Sequence, residues 1–109
     1  MEYVPDKGDI IWIDFDPQAG SEQAKRRPAI VLTPKIYNKK TSLCIICPIT
    51  SKIKNYPFEV KVKINNSASA ILADHVKSFD WKARNAEFLQ KAPKGVKQQV
   101  LEKLSLLLS

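Results

Sequence analysis

The sequence predicts a mainly β protein, a small and strongly curved antiparallel barrel of SH3-like or OB-like type closed by one C-terminal helix. Three observations predict it. Short apolar or alternating segments recur along most of the chain, Gly, Pro and Asn punctuate them, and only the C-terminal stretch carries a helical period. Many short strands joined by frequent turns are best accommodated by a barrel, because closure removes the exposed edges.

Asp9 to Phe15 alternates, with Ile11, Ile13 and Phe15 on one face and Ile10, Trp12 and Asp14 on the other, and it stops at Asp16-Pro17. Ala29 to Thr33 and Leu43 to Ile49 are short apolar runs rich in β-branched residues, the first ended by Pro34 and the second interrupted by Pro48. Phe58 to Ile64 is the clearest strand, placing Phe58, Val60, Val62 and Ile64 inward and Glu59, Lys61 and Lys63 toward water. Ile71 to Val76 and Ala86 to Gln90 are weaker strands, and Gly20, Pro34, Asn38, Asn55, Pro57, Asn65 and Asn66 mark turns. Val96, Val100, Leu104, Leu107 and Leu108 recur at helical spacing with Pro93 near the start, so the chain ends in a helix with one face on the sheet. No other segment reads as a helix.

Residues 1–109 form one predicted domain, since 109 residues fall within the range of about 100–150 that a single core organises. The net charge of +7 is uneven: residues 1–24 carry −5, residues 25–63 carry +9 and residues 64–109 carry +3. A basic block of that density draws polyanions, nucleic acid foremost. The longest apolar run, Leu43 to Cys47, is far short of the roughly 20 residues of a spanning helix, which argues against a membrane protein. The N-terminal residues have neither the basic nor the apolar region of a signal peptide, so the expected compartment is the cytoplasm.

Cys44-Ile45-Ile46-Cys47 has C-x-x-C spacing, but on a strand residues three apart point to opposite faces and neither bridge nor chelate together. His75 is the only histidine, too few ligands for a zinc site, and the two cysteines are expected to be buried structural thiols. The acidic residues form no two-metal cluster, so no metal or other cofactor is expected. Nucleic-acid cleavage without a metal points to RNA, whose 2′-hydroxyl attacks the adjacent phosphate once it is deprotonated. Arg27, Thr50, Glu22 and the surrounding lysines offer groups for that task, and His75, lacking a second histidine, is expected on the substrate side.

The segments Tyr3-Val4-Pro5-Asp6, Gly8-Asp9, Trp12, Asp14-Phe15-Asp16-Pro17, Gly20-Ser21-Glu22-Gln23-Ala24 and Arg27-Pro28-Ala29 closely resemble the MazF/PemK family of toxin endoribonucleases. The likeness continues through Tyr37-Asn38, Cys44, Pro48, Thr50, Tyr56-Pro57-Phe58-Glu59-Val60, Ala73-Asp74, Val76-Lys77-Ser78, Trp81 and Ala83-Arg84, covering most of residues 3–84. The resemblance implies an SH3-like barrel that forms a homodimer and cleaves single-stranded RNA, chiefly mRNA, at short sequences. It further implies cleavage without a metal, to 2′,3′-cyclic phosphate and 5′-hydroxyl ends, and an antitoxin like MazE with an acidic, flexible tail.

By the same resemblance the catalytic pair falls on Arg27 and Thr50, and Glu22 contributes to activity. Ser21, Lys52, Lys54, Asp74, His75 and Trp81 are then expected to contact substrate. A guanidinium carries five donors and stays charged, which suits Arg27 to the phosphate and makes it a poor base. The base is therefore assigned to Glu22 or water, and hydrogen bonding at the phosphate to Thr50. Trp12 and Trp81 are core aromatics in the first instance, with Trp81, flanked by Asp80 and Lys82, placed to stack on a base. His75 stands where a familiar MazF carries Gln, and Lys52 to Asn55 also differ, so the cleavage sequence is not transferable. Two rival functions are a gyrase-binding toxin of the CcdB kind and a plain single-strand RNA-binding barrel. The ending Leu106-Leu107-Leu108-Ser109 lacks the Trp-Gly-Ile of CcdB and argues against the former.

Overall fold

The computed structural model describes residues 2–15 and 26–109, so Asp16, Pro17, Gly20, Ser21 and Glu22 lie outside the described residues. Two segments that the sequence reading assigns to no helix or strand are elements. The order is β1 (Asp9–Asp14), β2 (Arg26–Val31), α1 (Lys35–Thr41), β3 (Leu43–Thr50), β4 (Glu59–Ile64), β5 (Ser67–Leu72), β6 (Lys77–Asp80), β7 (Glu87–Lys91) and α2 (Val96–Leu108). All ladders are antiparallel, in the order β4-β5-β3-β2-β1-β7, with β6 joined to β3 off that path. The expected mainly β, curled antiparallel architecture with a terminal helix is what forms.

β3 is the hinge of the sheet. Its first half pairs with β6, from Leu43↔Asp80 to Ile46↔Lys77, and its end pairs with β5 at Ile49↔Ile71 and Thr50↔Ala70. Pro48, which has no N–H to donate, stands where the partner changes. The strand therefore turns from one part of the sheet into the other without breaking.

Alternation on β1, β2 and β3 supplies two cores, one on each face. Ile10, Ile30, Cys47 and Ile49 meet Val60, Val62, Ile64 and Ile71 of the β4–β5 hairpin and Val96 and Val100 of α2. Ile11, Ile13, Ala29, Val31, Cys44 and Ile46 meet Phe79 and Trp81 on the other side. The cysteines are both buried and belong to different cores, as strand alternation requires. Burial pushes each thiol up to about 12, Cys47 with a further contribution from Asp74.

Several expectations need correction. α1 is a helix without an apolar stripe: its buried residue is Asn38, whose Nδ2 donates to Pro5 O at 2.8 Å and Thr33 O at 2.9 Å while Oδ1 accepts the Thr33 hydroxyl at 2.7 Å. β5 spans Ser67–Leu72 rather than 71–76, because Asn65 and Asn66, at φ 51° and 67°, form a tight two-residue hairpin that brings Ile64 opposite Ser67. β6 is a further short strand with Phe79 as its buried residue. At the end of α2, Leu107 and Leu108 are exposed, whereas Leu104 packs on the core as expected and Leu101 joins it there.

Glu59 departs from the inward and outward pattern of β4. It is buried, and its carboxylate accepts the N–H groups of Lys54 at 3.0 Å and Asn55 at 2.8 Å, which keeps the connection from β3 to β4 against the sheet. No helix among the described residues is long and apolar enough to cross a membrane.

Candidate functional site

The β2–β3 ladder is bonded at Val31↔Ile46, Ile30↔Cys47 and Ala29↔Pro48. It goes no further, because the next residue of β2 is Pro28. Continued two positions outward, the same register sets Arg27 opposite Thr50. Both side chains line one cavity of about 980 Å³ that opens where these strands part. That volume lies at the upper end of the range of about 300–1,000 Å³ typical of ligand sites.

The cavity wall gathers residues from far along the chain: Trp12 of β1, Arg27 and Pro28 of β2, Ile49 and Thr50 of β3, and Ser51, Lys52, Lys54 and Tyr56 from the following connection. Glu59, Ile64, Asn65, Ser67, Ser69 and Leu72 of the β4–β5 hairpin complete it with Asp74 and His75. Six of the residues singled out in the sequence, Arg27, Thr50, Lys52, Lys54, Asp74 and His75, thus share one surface. Ser21 and Glu22 lie outside the described residues.

Trp81 is a correction. It is 5% exposed, packs in the core beside Phe79, and donates its Nε1 hydrogen to Asn38 O at 2.9 Å, so it has no face to offer a base. The aromatic rings on the cavity wall are Trp12 and Tyr56 instead. Trp12 was legible in principle: it lies on the β1 face opposite Ile11 and Ile13, and its cross-strand partner is Pro28, next to Arg27.

Arg26 and Arg27 differ in what holds them. Arg26 donates to Asp14 Oδ1 at 2.8 Å, to Asn85 O at 2.7 Å and to Glu87 Oε1. Asn85 Nδ2 donates to Asp14 Oδ2 at 2.9 Å, and this amide together with Arg26 holds the Asp14 carboxyl below its ordinary value. Among the described residues Arg27 has no such partner, and its guanidinium is exposed on the cavity wall.

The Thr50 hydroxyl accepts the N–H of Lys52 at 3.0 Å, which fixes the oxygen and leaves its proton for a further acceptor. Across the cavity the Tyr56 hydroxyl donates to Asp74 Oδ1 at 2.6 Å. Burial, and then this bond to a carboxylate, push the phenol up to about 12. His75 Nε2 lies 3.8 Å from the same carboxylate oxygen. Arg27, Lys52 and Lys54 give this wall three cations, against the carboxylates of Asp74 and Glu59. The arrangement can bind a phosphodiester with an adjacent nucleobase, the cations taking the charge and Trp12 or Tyr56 the ring.

Residues 6–108 match the family described as PemK-like, MazF-like toxin of type II toxin–antitoxin system. The chain is similar to the endoribonuclease toxin MazF of Escherichia coli (strain K12), with 55% identity over 84 residues that cover 77% of this chain and 76% of the relative. It is 28% identical to the endoribonuclease PemK of Escherichia coli, with 95% of this chain and 82% of that one covered. Among solved structures, a MazE–MazF crystal structure from Deinococcus radiodurans aligns with a TM-score of 0.90 and 50% identity, over 98% of this chain and 97% of that chain. MazF from the same organism, solved in another form, aligns at 0.87 and 50% identity over 98% of each chain.

Proposed function

The chain belongs to the PemK-like, MazF-like family of type II toxin–antitoxin toxins, and from that premise we propose that residues 1–109 act as one toxin domain cutting single-stranded RNA, chiefly mRNA, at short sequences without a metal. Its activity is that of an endoribonuclease. The products are a 2′,3′-cyclic phosphate and a 5′-hydroxyl, and the consequence is arrested translation and growth.

One observation carries this reading: Arg27 and Thr50 flank the gap where Pro28 ends the β2–β3 ladder, with Lys52 and Lys54 on the same cavity wall. The 2′-oxygen attacks phosphorus as its proton leaves to Glu22 or water, the O2′–P bond forms, and the P–O5′ bond breaks. Arg27 meets the extra negative charge of the transition state with its fork of donors. Thr50 donates its remaining hydroxyl hydrogen to a phosphate oxygen. Lys52 and Lys54 draw the strand in, and Trp12 or Tyr56 stacks on a base.

The same cations suit an acidic partner. A flexible acidic antitoxin tail, of the kind the MazE-like resemblance implies, folds along the basic wall and displaces RNA, its approach hastened by opposite charge. The toxin acts as a homodimer in the cytoplasm.

The deciding experiment incubates a long unstructured RNA with purified protein in EDTA. Cleavage to cyclic-phosphate ends is expected. Intact RNA from folded protein overturns the nuclease reading, with RNA binding alone leaving the single-strand-binding barrel and gyrase binding alone leaving the CcdB-like alternative.

A further inference from the structure

The proposed reaction needs a proton removed at the 2′-oxygen and one supplied at the 5′-oxygen, and the residues assigned so far account for the first. Departure of the 5′-oxygen as an alkoxide is unfavourable, and a positioned acid of near-neutral pKa makes it easier by about 10²–10⁴-fold. A guanidinium is too weak an acid to give up its proton readily, and an ordinary lysine, at about 10.4, is little better matched to neutral pH. The Tyr56 hydroxyl is already committed to Asp74 and pushed up to about 12.

His75 is the one imidazole in the chain, and it lies on the same cavity wall as Arg27 and Thr50. Its side chain is 52% exposed, so it is open to substrate, and its Nε2 faces Asp74 Oδ1 at 3.8 Å, within ion-pair distance when the ring is protonated. Asp74 is itself held by the Tyr56 hydroxyl at 2.6 Å, from a connection 18 residues earlier. The His75 N–H donates to Leu72 O at 3.0 Å and fixes the backbone beneath the ring. The charged groups sharing the wall are Arg27, Lys52 and Lys54, which repel an imidazolium, and Asp74 and Glu59, which attract it. Of these carboxylates, Asp74 is the one within 4 Å of the ring among the described residues.

Resting on the endoribonuclease reading, we propose that His75 is the proton donor to the leaving 5′-oxygen, with Asp74 as the residue that positions it and Tyr56 as the residue that positions Asp74. The proton passes from the imidazolium to O5′ as the P–O5′ bond breaks. The neutral ring then takes a proton from solvent and is ready for the next turnover. A second histidine is unnecessary, because the other proton leaves to Glu22 or water.

A substrate with sulfur in place of the bridging 5′-oxygen separates this role from any other, since a thiolate leaves without protonation. Single-turnover cleavage of the ordinary RNA and of its 5′-thio analogue is compared for the wild type and His75→Gln. His75→Gln is expected to slow the ordinary RNA at least about 100-fold and the 5′-thio RNA by no more than a few-fold. Cleavage of the 5′-thio RNA also reports that the variant is folded. Equal losses on the two substrates make His75 a binding or structural residue and overturn the proposal, as does no loss on either. A wild type that cuts neither substrate overturns the nuclease reading itself.

Discussion

Arg26 and Arg27 are neighbours on β2, and the protein uses one to hold itself together and leaves the other on the cavity wall. Arg26 is fastened to Asp14, Asn85 and Glu87, which ties β2 to β1 and β7 at one end of the sheet. Arg26→Ala is expected to cost about 2 kcal/mol, since hydrogen bonds to charged groups contribute about 1.5–3 kcal/mol each and these are partly exposed. In a chain of this size each kcal/mol lowers the melting temperature by about 4–8 °C. Arg27→Ala is expected to melt within a degree or two of the wild type and to lose at least about 100-fold in single-turnover cleavage. Thermal unfolding and RNA cleavage on the two variants check the contrast, and the same phenotype in both would contradict it.

Asn38→Ala is expected to destabilise the fold by about 3 kcal/mol. The side chain is fully buried and satisfies the carbonyls of Pro5 and Thr33 and the hydroxyl of Thr33, so removing it leaves the buried Pro5 carbonyl without that partner and breaks two part-buried bonds to Thr33. Urea unfolding measures the loss. Cleavage at low temperature stays near the wild-type rate, because Asn38 does not line the cavity.

Acid is expected to remove the contribution of Asp14. Its carboxyl is held below the ordinary value by Asn85 and Arg26, so the folded state favours the charged form more than the unfolded state does. The stabilisation is therefore complete above the unfolded value of about 3.9 and is lost as pH falls through the lower folded value. Asp14→Asn is expected to be about 1–2 kcal/mol less stable at pH 7, to begin converging with the wild type below about pH 4, and to match it only once pH has fallen through the lower folded value. A gap in urea midpoint that does not change with pH would refute the assignment.

Cys44 and Cys47 are expected to stay reduced in the folded protein under a mild oxidant, without forming a disulfide within one chain. They face different cores, and burial keeps both thiols neutral at physiological pH. Because the folded value near 12 lies above that of a free thiol, their effect on stability is fully present below about pH 8.5 and is lost as pH rises toward 12. Thiol labelling followed by mass spectrometry is expected to track global unfolding, and an intrachain disulfide in folded protein would contradict the strand geometry.

Strands with large β-branched residues were legible because burial and alternation coincide in them, as on β1, β3 and β4. Residues 67–72 were misplaced because Ser67, Ala68, Ser69 and Ala70 are too small to show a pattern, although Asn65-Asn66 is a hairpin signal. α1 was invisible because Asn38 anchors it through hydrogen bonds rather than through an apolar face. At the cavity, Arg27 and Thr50 were found by their surrounding motifs. Trp81 was misjudged because flanking charges say little about a side chain that points the other way into a core, and the tie between Tyr56 and Asp74 spans a separation that no local pattern encodes.

The two cores on opposite faces of β1, β2 and β3 have an evolutionary consequence. Lys52, Lys54 and Ser67 line the cavity from exposed positions and belong to neither core. Mutation can rewrite them without a folding penalty, while Arg27, Thr50 and the interior are kept. On the proposed function, a lineage built on this scaffold is free to diversify the RNA sequences it attacks faster than it changes shape, and an antitoxin tail lying along the same rim is obliged to follow.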